Sequence, residues 1–153
     1  MRARLVHDEG GLRTFVAVLE TGDEAMGCLT DLARDEGLTA AQLTAIGAFR
    51  TAELAFFDWE TKDYRPIPVG EQTEVASMTG DVAIGPDGGP LLHIHAVLGK
   101  PDGTAVAGHF VRGEVRPTLE VVLIETPGHL RRRKDDASGL PLIDLREGGP
   151  DAK

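Results

Sequence analysis

Aromatic residues are scarce in this chain, at 5%, with a single tryptophan and a single tyrosine, and cysteine occurs once, as Cys28. One cysteine excludes an intramolecular disulfide, which agrees with a reducing compartment. Cys28 lies among helix-like residues and reads as a small apolar side chain. Neither it nor Ser77 has a surrounding motif that would make it a nucleophile. Long hydrophobic runs are also missing. The opening stretch MRARLVHDEGGLRTF has no apolar run beyond two residues, so it lacks the apolar segment of a secretory signal, and no later stretch approaches a membrane span. The expectation is a cytoplasmic protein with no membrane partner. Positive charge is in short supply: 16 Lys and Arg stand against 25 Asp and Glu, a net charge of −9. That field repels phosphate backbones and disfavours DNA as a partner. The one basic run, Arg131 to Lys134, is followed at once by Asp135 and Asp136 and has no interleaved aromatics to stack bases, so it reads as a solvated strand end. The glycines of Gly85 to Gly89 and Gly148 to Gly149 lack the Lys-Ser/Thr of a phosphate loop and read as turns.

What is present is one domain's worth of globular sequence: 153 residues, 41% hydrophobic and 27% charged, enough to bury a core without staples. Residues 1–13 read as an N-terminal extension, 14–145 as a single domain, and the polar, glycine-rich 146–153 as a tail without fixed structure. Thr14 to Glu20 alternate as a strand. Thr21 and Asp23 are placed to cap a helix in which Met26, Leu29, Leu32 and Ala33 share one face, and Gly37 ends it. From Leu43 onward, short β-like runs alternate with Gly, Pro and Asp punctuation, and connections such as DWETKD and GPDGGP are hairpin-sized. The predicted fold class is α+β: a mostly antiparallel β-sheet of about seven strands with one main helix packed on one face. Phe56, Phe57 and Trp59 read as core or interface more readily than as a ligand pocket.

Three of the five histidines fall within one 17-residue window, HIHAVLGKPDGTAVAGH, as His93, His95 and His109. His93 and His95 are two apart, so on a strand both project from one face. Pro101-Asp102-Gly103 fits a three-residue turn closed by a left-handed glycine, which sets Lys100 opposite Thr104. The same register places His95 across from His109 and His93 across from Val111. On the other face it pairs Leu92 with Arg112, Ile94 with Phe110, Ala96 with Gly108 and Leu98 with Val106, an apolar set apart from Arg112. A loop shorter by one residue would throw His109 among the core side chains. Three imidazoles on one face are within reach of a single divalent ion, zinc foremost, with iron, copper and nickel also suited to such ligands. No catalytic residue is legible beyond Glu120, a candidate general base or second-layer partner. The other reading stays open: histidines on a half-exposed sheet face that make hydrogen bonds and serve architecture.

The run HIHAVLGKPDGTAVAGHFVRGEVRPTLEVVLIE resembles the signature of the plants-and-prokaryotes conserved (PPC) domain, with its His-x-His strand, acidic-glycine turn, Gly-Gly-His strand and Thr-x-Glu segment. TEVASMTGDVA, through Glu74, Ser77 and Gly80, and TAIGAF, through Gly47, resemble further family segments, as does RRKDDASGLPLIDL after the core. Ala107 departs from the family glycine, and Phe110 replaces a commoner aliphatic. The resemblance implies an α/β domain assembling as a homotrimer with the histidine face near the subunit boundary. It also implies an association with DNA in relatives that carry AT-hooks, although no Arg-Gly-Arg-Pro hook is present here. Two functions follow as alternatives: a metal or small-ligand site, or a DNA-associated interaction module in which the histidines are structural.

Overall fold

The computed structural model describes residues 1–145, so the tail expected at 146–153 lies outside the described residues. The elements run β1 (Arg2–Glu9), β2 (Leu12–Glu20), α1 (Ala25–Asp35), β3 (Ala40–Asp58), β4 (Asp63–Val69), β5 (Thr73–Ile84), β6 (Pro90–Gly99), β7 (Ala105–Glu125), β8 (Arg132–Lys134) and β9 (Pro141–Ile143). The main sheet has seven strands in the order β1-β2-β7-β6-β5-β3-β4, all antiparallel, as the hairpin-sized connections require. A further pairing of β7 with β3 closes β3, β5, β6 and β7 into a ring. Among the described residues no helix is long and apolar enough to cross a membrane.

Two segments differ from the sequence reading. Residues 1–13, expected as an extension, contain β1, which pairs along β2 as a hairpin turned at Gly10 and Gly11. Every β1 residue is exposed, so no alternation of apolar and polar residues marks it as a strand. The runs TAVAGHFVRG and EVRPTLEVVLIE are one strand, β7, whose two halves have different neighbours: β6 beside Ala105 to His109, and β2 beside Thr118 to Ile124.

The helix forms where its apolar positions recur, burying Ala25, Leu29, Leu32 and Ala33. Its cap is Glu24, which accepts from the amides of Met26 and Gly27, while the expected cap Asp23 accepts from the amide of Glu20 instead. Gly37 takes the left-handed conformation after the last turn. The helix covers one end of the core, in which Phe15, Leu43, Phe49, Leu54, Ile94, Leu98 and Phe110 are fully enclosed.

One close approach fixes where the histidine strand sits. A Cβ on Gly80 of β5 would lie 2.3 Å from the His93 carbonyl oxygen and 2.8 Å from the Ile94 Cα, both backbone atoms that cannot yield locally. Glycine here lets β5 and β6 pack at the level of His93. Gly80→Ala is expected to cost about 1–3 kcal/mol through overpacking, read as a lowered midpoint of chemical unfolding; an unchanged midpoint would contradict the close approach.

Candidate metal centre

The loop between β6 and β7 sets the site. The amide of Lys100 donates to the Thr104 carbonyl at 2.7 Å, and the Gly103 amide donates to the Lys100 carbonyl at 2.9 Å. Asp102 Oδ1 accepts from both the amide and the hydroxyl of Thr104, at 2.9 and 2.6 Å. Gly103 carries the positive φ, +83°, that this turn demands. The ladder that follows is the expected one: Gly99 with Ala105, Leu98 with Val106, Val97 with Ala107, Ala96 with Gly108 and His95 with His109.

There the β6–β7 ladder stops, and the expected pairs of His93 with Val111, Ile94 with Phe110 and Leu92 with Arg112 do not form. Between Phe110 and Gly113, strand β7 pairs with β3, with Leu54 opposite Phe110 and Glu53 opposite Arg112. Closing the ring splays β7 from β6 at this level. Arg112 binds the Glu53 carboxylate, at 2.9 Å from Nη2 and 3.1 Å from Nε. The cross-strand neighbour of His93 is Asp81 on β5. The apolar face survives the change, because Leu92, Ile94, Ala96, Leu98 and Phe110 are all buried.

On the opposite face the three imidazoles converge. Their ring centroids are 5.2 Å apart for His93 and His95, 5.2 Å for His93 and His109, and 5.5 Å for His95 and His109. One nitrogen from each lies within 4.8 Å of the other two, and no carboxylate belongs to the group. His95 is exposed, while His93 and His109 are half-buried. Tyr64 of β4 lies over His109 with ring centroids 4.8 Å apart, and Phe57 meets Tyr64 edge-on at 5.3 Å.

Burial sets the protonation of His93 and His109. Desolvation, aided by the other two histidines and by Arg132, pushes the His109 imidazole down to about 4. Desolvation, then Arg132 and His95, lowers His93 as well, with Asp81 pulling weakly the other way. Both rings are therefore neutral near pH 7, the form in which imidazole binds a metal. His109 Nδ1 is buried and has no hydrogen-bond partner, a vacancy that native structures seldom leave. Three converging imidazoles, two of them held neutral by burial and one with an orphaned nitrogen, fit a first-row divalent ion.

Glu120 does not join them. It lies eleven residues further along β7, exposed, between Val18 of β2 and Ile46 of β3. Within one chain it serves neither as a base at the cluster nor as a partner to its rings. Conversely, sequence reasoning missed three residues that border the site. Asp81 was detectable in principle, since fixing the register of the five-residue Gly85 to Gly89 loop puts it opposite His93. Tyr64 arrives by way of the β3–β4 hairpin, and Arg132 comes from the basic run read as solvated. Arg132 is 5% exposed: its Nη2 bonds Asp81 Oδ1 at 2.5 Å and its Nη1 bonds the Pro141 carbonyl at 3.0 Å. Ala107, in place of the family glycine, is exposed beside Val97.

The family model of the Plants and Prokaryotes Conserved (PCC) domain matches residues 6–127, four-fifths of the chain, including all three histidines. The chain belongs to the PCC domain family. Among solved structures, this PCC protein is similar to a metal-containing protein from Archaeoglobus fulgidus, with 30% identity, a TM-score of 0.80, and 94% of this chain and 98% of that one covered. It is also similar to a plant- and prokaryote-conserved protein from Pyrococcus horikoshii, with 28% identity, a TM-score of 0.81, and coverage of 90% and 97%. A third relative, described as a candidate DNA-binding protein, comes from Ralstonia eutropha, with 28% identity, a TM-score of 0.79, and coverage of 86% and 90%. No curated protein matches the chain.

The depressed His109 gives a pH dependence with a definite sign. Between its ordinary value of 6.5 and its folded value of about 4, the unfolded chain takes up a proton that the folded ring refuses. Stability from this ring is thus fully present above pH 6.5 and declines as the pH falls to about 4. Denaturant unfolding of metal-free protein at pH 7 and pH 4.5 is expected to show a smaller acid loss in His109→Gln than in the wild type; equal losses would place the ring in water.

Proposed function

We propose that this PCC protein binds one divalent metal ion per histidine cluster, zinc foremost, through His93, His95 and His109, and presents it to a small ligand. The observation that carries the reading is the convergence of three imidazoles, two held neutral by burial, around a buried Nδ1 with no partner. Further support comes from the Archaeoglobus relative, 30% identical and described as metal-containing. His93, His95 and His109 would hold the ion through one ring nitrogen each, and it would supply Lewis acidity at that point. The protein's own part is to hold the rings in place, with Tyr64 lying tilted over His109 and the hairpin turn pairing His95 with it.

Self-association belongs to the same reading. The outer face of β2, β7 and β3 carries Ile46, Val122 and Ile124 at 61%, 37% and 45% exposure, more apolar side chain than a solvated sheet face needs. We place the contact between copies of a homotrimer on this face, with Glu120 inside it. The alternative, a DNA-associated module, draws on the description of the Ralstonia relative. The basic run lends it little: Arg132 is buried on Asp81, Arg133 bonds Asp144 at 3.2 Å, and the net charge is −9.

Untagged protein is expected to bind zinc at one equivalent per chain, and zinc at 100 times Kd to stabilise it by about 2.7 kcal/mol. His93→Ala combined with His109→Ala abolishes both effects. Stoichiometric binding that survives the double substitution would remove the histidines from the site. Ile46→Glu with Val122→Glu is expected to convert trimers to monomers in light scattering; an unchanged mass would move the interface elsewhere.

A further inference from the structure

The walls of the space beside the histidines define what it can hold, which deepens the metal-site reading and rests on it for the placement of the ligand. A cavity of about 150 Å³ adjoins His93 and His109. Its remaining walls are of two kinds: apolar groups from Leu91, Leu140, Pro141 and the Tyr64 ring, and the guanidinium of Arg132. Sites for drug-sized ligands occupy about 300–1,000 Å³, so this one suits a molecule of a few carbons.

The charge of the walls decides the class of that molecule. Arg132 has five N–H donors, and two bonds are formed, to Asp81 and to the Pro141 carbonyl. Its Nε is buried without a partner. The side chain is 4% exposed, so water cannot readily serve the remaining donors, whereas Asp81 is 29% exposed and shares its charge with solvent. The histidine cluster contains no carboxylate, so an ion held there keeps its full double charge. Cation, guanidinium and Asp81 then leave a surplus of positive charge facing an otherwise oily space. A buried surplus of that kind is relieved by an anion.

We propose that the cavity receives a small monocarboxylate with a short branched or linear apolar body. Its oxygens lie between the histidine cluster and Arg132, and its carbon end lies against Leu91, Leu140 and Pro141. Arg132 is the specificity residue, since the apolar walls would accept a neutral isostere equally well. Asp81 moderates the site: it holds the guanidinium in place and offsets part of its charge.

The test uses isobutyrate as probe and isobutyramide as its neutral isostere, in metal-free and zinc-loaded protein. Binding is read by calorimetry and by the Arg132 Nε–H resonance. Isobutyrate is expected to bind at least tenfold more tightly than the amide, to shift the Nε–H signal, and to gain affinity when zinc is present. Arg132→Gln abolishes the preference. Should that variant not fold, Asp81→Asn serves instead: its side-chain oxygen still accepts from Nη2 and holds the guanidinium, and it is expected to tighten isobutyrate binding severalfold by leaving the guanidinium charge uncompensated. Equal affinity for acid and amide in both forms of the wild type, or an Asp81→Asn variant with weaker isobutyrate binding, would overturn the inference. Zinc binding without discrimination between the two probes sinks this inference alone. Discrimination in metal-free protein without zinc binding sinks the metal reading and leaves Arg132 as an anion site.

Discussion

The hydrogen-bonded corner from Lys100 to Thr104 governs everything that happens on the far side of the sheet. Two backbone bonds and the Asp102 carboxylate close it, and once it is closed the alternation of a β-strand leaves no choice about which side chains share a face. His95 meets His109 as a direct pair, and Ile94, Ala96, Leu98 and Phe110 are buried on the reverse. A slip by one residue would exchange the two sets, placing imidazoles in the core and aliphatic groups in water. The burial of the apolar set therefore enforces the convergence of the histidines, and the site draws its precision from the hydrophobic core behind it.

A second layer completes the surroundings of the rings. The segment after β7 returns across the end of β5, where the Ile84 amide donates to the Leu130 carbonyl and Arg132 reaches Asp81. One ion pair thus pins β8 to β5 and closes a wall of the cavity next to His93. Burying a guanidinium is costly unless it is paired and hydrogen-bonded, and here its Nε is left without a partner. Desolvation keeps both neighbouring imidazoles unprotonated, and the same cation adds to that effect.

Much of this was legible in the sequence where local chemistry is decisive. The Pro-Asp-Gly corner, the His-x-His spacing and the apolar reverse face suffice to place three histidines together, because turn type and the two-residue period are short-range properties. The helix and its terminating Gly37 are legible for the same reason. What escaped depends on contacts distant in sequence. Strand β1 has no buried residue to betray it. The end of the β6–β7 ladder at His109 follows from ring closure by β3, some fifty residues earlier in the chain, as the pairing of His109 with Ala55 shows. Arg132 sits in a run whose composition signals solvent, and only the return of β8 onto β5 buries it. Glu120 reads as a partner of the histidines when EVRPTLEVVLIE is taken as a separate, next strand, whereas the single long β7 carries it away from them.

The central claim is that His93, His95 and His109 bind one ion together, and anomalous diffraction from untagged, zinc-loaded crystals tests it most directly. The account predicts a single zinc-edge peak at about 2.0–2.1 Å from one nitrogen of each ring, with His109 Nδ1 engaged either by the ion or by a hydrogen-bond partner. Absence of the peak, or a peak that leaves His109 unbound, would contradict it.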